Sequence, residues 1–474
     1  MTATVGEVPT SPTPDADELS LRIATALDRV LGPVEVQGLR RLTGGASRET
    51  WSFDAVGGDG TRHQLVLRRD PPARPGPRGA MQREAQVIRL ADDAGVPVPE
   101  VLVDHGDSSA WGAAGLVMER VEGEALGKRI LRAEALAGAR ELLVGQCAEA
   151  LAALHSVDPS RLVDAPETDP LEMVRLVLDG IGEPVPTFEH ALRWLEQRRP
   201  APGGRSIVHG DFRLGNLLVG PDGLRAVLDW ELVHLGDPIE DLGWLCVRAW
   251  RFGASAPVAG LGTREELLDA YARAGGVRVD PEVLRWWEAY GTLRWGIICL
   301  TQTAVHLRGD LRSVELAAIG RRVCETEWDL LALCAPAAAD AAQRRGGAEP
   351  RAEHDPGLHG RPTAAELVDS VREFLAEQVV PGTEGSTSYH ARVAANVLAA
   401  VQRELVAGDG PQQRRALQLA RLGVGTEAGL CAAIRSGSLD DSEELEEILA
   451  DGVLERVRVA NPTYLQDAAE SPPG

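Results

Sequence analysis

VHGDFRLGNLLV, residues 208–219, sets an aspartate two residues after a histidine, and an asparagine five residues beyond that aspartate, directly before an apolar run. An acid and an amide at this spacing suit a short loop that handles a hydroxyl and a cation. Phosphoryl transfer asks little covalent chemistry of a protein; it needs an aligned nucleophile and neutralised phosphate charge. Asp211 can accept a hydroxyl's hydrogen bond and aim its oxygen at a phosphorus atom. Asn216 can offer a neutral oxygen to Mg2+, and a charged second ligand is then required. AVLDWE, residues 226–231, supplies Asp229 at the end of the next strand, across a glycine-containing turn. His-Gly-Asp alone would be an ordinary loop. The whole string carries the reading: His-x-Asp-x4-Asn, apolar strand, glycine turn, strand, Leu-Asp-Trp.

The chemistry of such a loop usually calls for a lysine elsewhere, and Lys128 is the only lysine among 49 basic residues. An arginine is therefore expected where a lysine would serve. The chain has 474 residues, 44% hydrophobic and 25% charged, an ordinary globular composition with room for two or three domains. A net charge of −22 repels nucleic acid and anionic membrane, so neither is expected as a partner. The six cysteines form no C-x-x-C pair, which fits buried reduced thiols in the cytoplasm. The start, MTATVGEVPTSPTPDADELS, lacks the basic and apolar regions of a signal peptide.

Residues 1–18 are expected to be a disordered start. A helix is predicted in ELSLRIATALDRVLG, then strands in VEVQGLRRL, ETWSFDAV and RHQLVLRR. AMQREAQVIRLADDAG reads as a helix, and VPVPEVLVDHG and AGLVMERVEG as two more strands. ALAGARELLVGQCAEALAALHSV is a long helix; further helices are expected near 169–181 and 187–199 and from the motif to about 335. Residues 337–360, rich in Ala, Pro, Gly and charge, read as a linker. Helices fill 361–474, opening on a capping box at Thr363 and Glu366. All ten tryptophans precede residue 329, which supports a separate C-terminal domain.

HGDFRLGN and LDWE resemble the aminoglycoside phosphotransferase-like family of small-molecule kinases, relatives of the protein kinases. The resemblance runs from about residue 38 to about 330. It implies an α+β, bilobal protein-kinase-like fold, with an antiparallel β N-lobe at 19–122 that binds ATP and a mainly helical C-lobe at 123–336; the 361–474 helices make a separate all-α domain. By resemblance Asp211 is the catalytic base or orienting acid, Asn216 and Asp229 bind Mg2+, and His209 braces the loop. Arg213 falls where protein kinases carry a catalytic-loop lysine. Asp241 in GDPIEDLGWL resembles the buried aspartate that holds the loop, and Asp237 is structural.

In the N-lobe, LTGGASRETW joins two strands as a phosphate-covering loop should. Gly44 and Gly45 permit close backbone approach, and Ser47 can donate to a phosphate. Strand alternation in LVLRRD puts Val66 and Arg68 on one face and Arg69 on the other. Arg68 thus takes the place of the phosphate-holding lysine, with Glu84 as its helix partner. Replacing Arg69 is expected to do little to the KM for ATP or to kcat, since only one of the two arginines can reach the cleft. GLVMERVEG matches the hinge, where the backbone of Glu119 and Val121 would bind adenine.

VLRWWEAYGTLRWGIICLTQ could line an acceptor pocket with Trp286, Trp287, Tyr290, Arg294 and Trp295, although core packing is the plainer expectation. LVLRRDPP, GVPVPEVL and HGDFRLGN resemble the branch related to the kinase-like domain fused to some acyl-CoA dehydrogenases. That branch implies a hydroxyacyl-CoA acceptor. Two alternatives stay open: an aminoglycoside or other small-alcohol kinase, and a catalytically weak nucleotide- or acyl-CoA-binding module acting through its tail. The tail, with YHARVAANVLAAVQREL and VANPTYL, resembles an uncharacterised bacterial helical domain found near such kinases. It leaves room for a homo-oligomer or a protein partner. His390, Arg392 and Asn396 are expected to be buried hydrogen bonders.

Overall fold

The computed structural model describes residues 16–42, 48–72, 75–107, 110–345 and 361–465. Gly44, Gly45 and Ser47 lie outside the described residues. The chain divides into two compact units. The first comprises the described residues up to Glu167, with Pro202–Leu245 and Leu261–Val279; the second comprises Thr168–Ala201, Cys246–Gly260 and the residues from Asp280 onward.

The first unit opens on a helix, Ala16–Leu31, so residues 16–18 are helical rather than part of a disordered start. Leu19, Ile23 and Leu27 recur at a four-residue interval and bury one stripe. Five strands follow: β1 (Val34–Leu42), β2 (Glu49–Gly57), β3 (Arg62–Arg69), β4 (Val101–His105) and β5 (Gly115–Glu119). They form one antiparallel sheet in the order β1-β2-β3-β5-β4. β4 starts later than VPVPEVLVDHG suggests. Two prolines in that run lack the N–H a ladder needs, and pairing begins only beyond them.

The two faces of the sheet have different tasks. Trp51, Phe53, Leu65, Leu67 and Val117 join the stripe of the first helix in one core. On the other face a helix, Ala80–Asp93, packs Met81 and Ala85 against Leu116, beside Met118. In the β3–β5 register Arg68 pairs with Leu116 and Val66 with Met118. Arg68 therefore stands on the face that the 80–93 helix covers, which brings Glu84 within reach.

The rest of the first unit carries the motif loop. Strand β6 (Ser206–Val208) pairs with β9 (His234–Gly236), and β7 (Leu217–Gly220) forms a hairpin with β8 (Gly223–Val227). Residues 209–216 run from β6 to β7, and residues 228–233 run from β8 to β9.

In the second unit the helix Pro281–Arg308 buries Trp286, Trp287 and Tyr290, and the Trp286 indole donates to the Leu195 carbonyl. These aromatics are core. Residues 336–345, whose composition pointed to a linker from 337, form a helix, because Ala338, Ala339 and Ala342 bury a small-residue stripe. That stripe joins Trp328, Leu331, Leu430, Leu449 and Val453 in a single core. The capping box at Thr363 and Glu366 is formed. His390, Arg392 and Asn396 are exposed, contrary to expectation, because the helix Gly385–Ala407 buries Ala391, Ala395 and Ala400 instead. Among the described residues no helix is long and apolar enough to cross a membrane.

Candidate active site

The loop between β6 and β7 is held from beneath by one carboxylate. Asp241, on the helix Ile239–Cys246, is fully buried and accepts the backbone N–H groups of His209 at 2.8 Å and Gly210 at 2.9 Å. The His155 ring nitrogen lies 3.2 Å from the same carboxylate. Burial alone would raise the Asp241 pKa. The hydrogen bond and charge of His155, with the His209 N–H, outweigh it and hold the carboxyl below its usual range. Gly210 has φ +79°, and a Cβ there would come within 2.6 Å of the Leu232 carbonyl oxygen, so a side chain at this turn would break the loop.

His209 is buried beneath the loop. The Asp211 N–H donates to its Nδ1 at 3.1 Å, so Nε2 carries the proton and donates to the Leu228 carbonyl at 3.1 Å. Burial pulls its pKa down against the pull of Asp241 and Asp211, which fits a neutral ring. The histidine thus ties the Asp211 turn to the strand end that carries Asp229.

Three donors orient Asp211. Arg213 Nε and the Trp244 indole each reach Oδ1 at 2.9 Å. Asn216 Nδ2 donates to Oδ2 at 2.6 Å and to the Asp211 carbonyl at 2.9 Å. With its nitrogen so engaged, the carbonyl oxygen is what Asn216 can offer a cation. The Leu228 N–H donates to the backbone carbonyl of Asn216 at 2.8 Å, which fixes Asp229 next to that loop end. Asp229 has φ +69°, a left-handed conformation uncommon for any residue with a side chain. Burial would raise its pKa, but the charge and hydrogen bond of Arg68 hold it below the usual range. Asn216 and Asp229 are hard oxygen donors of the kind Mg2+ takes alongside phosphate oxygens.

Arg68 reaches Glu84 at 3.3 Å, Asp229 more closely, and Glu231 at 3.4 Å. Glu84 is also paired with Arg48, which lies 3.4 Å from Asp70 and 3.8 Å from Glu231. Glu119 ends β5, its N–H donating to the Glu100 carbonyl at 2.9 Å, and Val121 follows two residues later.

The structure thus gathers Asp211, Arg213, Asn216 and Asp229, and brings Arg68 and Glu84 to Asp229. It adds Trp244, Arg48, Asp70 and Glu231, which sequence reasoning passed over. Trp244 had a signal: it lies one helical turn beyond Asp241 in DLGW and so shares its face. Glu231 ends the LDWE string. Arg48 and Asp70 had none, since only tertiary folding brings Arg48 to Asp70 and Glu84.

Residues 38–287 match the family described as Phosphotransferase enzyme family, and residues 381–464 match a domain of unknown function (DUF6285). The chain is 29% identical over 297 residues to acyl-CoA dehydrogenase family member 10 of Mus musculus, covering 56% of this chain and 27% of that protein. It is 30% identical over 247 residues to acyl-CoA dehydrogenase family member 11 of Rattus norvegicus, covering 47% of this chain and 31% of that protein. The chain therefore spans less than a third of the length of either relative. A crystal structure from Ralstonia eutropha, named for the aminoglycoside phosphotransferases, aligns with a TM-score of 0.52 at 23% identity, covering 67% of this chain and 98% of that one. That likeness is one of fold.

Proposed function

The chain belongs to the phosphotransferase enzyme family and is a small-molecule kinase; from that premise we propose that it moves the γ-phosphate of ATP to the hydroxyl of a hydroxyacyl-CoA. The observation that carries the reading is the Asp211 carboxylate, held by Arg213, Trp244 and Asn216 on a loop clamped from below by Asp241.

In the proposed reaction the acceptor's O–H donates to Asp211, which aligns the oxygen with the γ-phosphorus and takes the proton as the new P–O bond forms. The bond between the γ-phosphorus and the bridging oxygen breaks, and ADP leaves with that electron pair. Asn216 and Asp229 would hold Mg2+, which supplies positive charge against the phosphates. Arg68 would hold the phosphates with Glu84 as its anchor, and Arg213 would counter charge at the transferred group. The backbone of Glu119 and Val121 would bind adenine, and Gly44, Gly45 and Ser47 would cover the phosphates. On this reading 19–122 is the nucleotide lobe, 123–336 carries the catalytic loop and acceptor site, and 361–474 is a helical accessory. The names of the two mammalian relatives support the acyl-CoA class. Six free cysteines suit a reducing cytoplasm.

Measurement of ADP release from MgATP, with 3-hydroxyacyl-CoAs, simple sugars and aminoglycosides as acceptors, tests the reading. Turnover is expected with the thioesters. The Asp211→Asn variant should lose about a hundredfold or more in kcat while still binding ATP, because its role begins at the acceptor hydroxyl. Wild-type turnover by that variant would remove Asp211 from the mechanism. Turnover with sugars or aminoglycosides alone would move the acceptor class.

A further inference from the structure

We propose that Arg48 and Arg68 form a two-guanidinium clamp for the β- and γ-phosphates of the nucleotide, and that the Glu231 carboxylate stands in for a phosphate oxygen until nucleotide displaces it. The inference rests on the reading above that ATP enters this site, and adds to it two residues, Arg48 and Glu231.

Both guanidiniums contact the Glu84 carboxylate, and both are largely buried. Burial and the Arg68 charge pull the Arg48 pKa down, as two desolvated like charges require. Such a pair needs anions on both sides. On one side stands Glu84, 2% exposed, whose Oε1 faces Arg68 and whose Oε2 faces Arg48. Its place is fixed by the packing of the 80–93 helix on the sheet. Asp70 is fixed too, because it accepts the Gly76 N–H at 2.9 Å.

Glu231 differs. Its side chain is 26% exposed and sits on a single turn, Trp230–Leu232. One oxygen, Oε2, faces both Nη2 of Arg68 at 3.4 Å and Nε of Arg48 at 3.8 Å. An anionic oxygen shared between two guanidiniums is the arrangement a phosphate oxygen makes, and these two contacts are longer than a good charge-assisted bond. Charge balance gives the same answer. Among the described residues the two arginines pair with four carboxylates, Asp70, Glu84, Asp229 and Glu231, so the pair is outnumbered by its anions. Polyphosphate cannot enter that field unless a cation joins Asp229 and a carboxylate gives way. Asp229 and Glu231 are the two partly exposed carboxylates of the four; the cation needs Asp229, so Glu231 is the one to give way.

Calorimetric titration of the full chain with MgATP, MgADP and AMP tests this. Glu231→Gln keeps the side chain's size and removes the competing charge; it should tighten MgATP binding by roughly tenfold. Arg48→Ala should weaken MgATP and MgADP by roughly tenfold or more and leave AMP within about twofold, since AMP lacks the clamped phosphates. Because Arg48 is buried, Arg48→Lys provides a second readout: a retained charge should recover part of the MgATP affinity. Unchanged or weaker MgATP binding by Glu231→Gln overturns the placeholder. Equal loss of ATP and AMP affinity in Arg48→Ala, unrelieved in Arg48→Lys, overturns the clamp. A wild-type chain that binds no ATP sinks the nucleotide reading and the clamp together, whereas ATP binding that none of the variants alters sinks the clamp alone.

Discussion

Neighbouring arginines on β3 illustrate how one residue's shift in register changes its task. Arg68 faces Glu84 and Asp229. Arg69 points into the other face, where it is fully buried. Its Nε donates to Glu49 at 2.9 Å, its Nη1 donates to the Trp111 carbonyl at 2.6 Å, and the guanidinium lies 5.8 Å from the Trp51 ring centre. The alternation of LVLRRD places Arg69 away from the cleft, and its partners there come from β2 and the 110–113 loop, which gives it a structural task. Arg69→Ala would leave Glu49 without its buried partner, and a loss of about 3–5 kcal/mol is expected. Arg68→Ala should instead raise the KM for ATP and lower kcat. Thermal unfolding and steady-state kinetics on both variants separate the effects. A stable Arg69→Ala enzyme with an altered KM would reverse the faces assigned to the pair.

At the scale of elements, the Ile239–Cys246 helix organises the motif loop from two successive turns. Asp241 holds the loop backbone, and Trp244, three residues on, donates to the Asp211 side chain. The lowered pKa of Asp241 makes this arrangement pH-dependent. A carboxyl whose folded pKa lies below its unfolded value adds stability that is complete above the unfolded value, about 3.9, and is lost as pH falls through the folded one. Denaturant unfolding from pH 7 down to pH 3 should therefore show stability falling steeply below about pH 4. Asp241→Asn, less stable at pH 7, should show a shallower fall over that range. Parallel curves for the two proteins would mean that other carboxylates set the acid limit.

For the whole molecule, the change in composition after residue 336 is not a break in packing. Ala338, Ala339 and Ala342 share a core with Trp328 and Leu331 before the presumed break and with Leu430, Leu445, Leu449 and Val453 after it. Polar ties reinforce it: Asn461 donates to Glu325 at 2.9 Å, Tyr464 to Asp329 at 2.6 Å, and Arg248 to the Tyr464 carbonyl at 2.9 Å. The VANPTYL string is thus a clasp on the Val323–Cys334 helix. Leu449→Ala should cost about 2–5 kcal/mol. A chain truncated at 360 should melt at a lower temperature, since Trp328 and Leu331 lose their cover. An unchanged melting midpoint in the truncated chain would make the tail an independent folding unit.

Much of this architecture is local and was legible as such. The period-two runs at 34–42, 49–57 and 62–69 are strands because alternate side chains meet a core and a more open face. The Thr363–Glu366 cap forms because its two hydrogen bonds lie within one turn. The spacing of His209, Asp211 and Asn216 brings them together because the loop is short enough for them to bond one another. Tertiary structure alone decided what surrounds them. Arg68 meets Asp229 across 161 residues of chain, and Arg48 meets Glu84 across 36. Burial of Arg69 and the shared core of residues 324–457 are equally products of packing. Periodicity and spacing report which face a side chain takes and what its near neighbours are. They carry no information about which distant segment will cover that face, because that is set by the summed burial of many residues rather than by any pair.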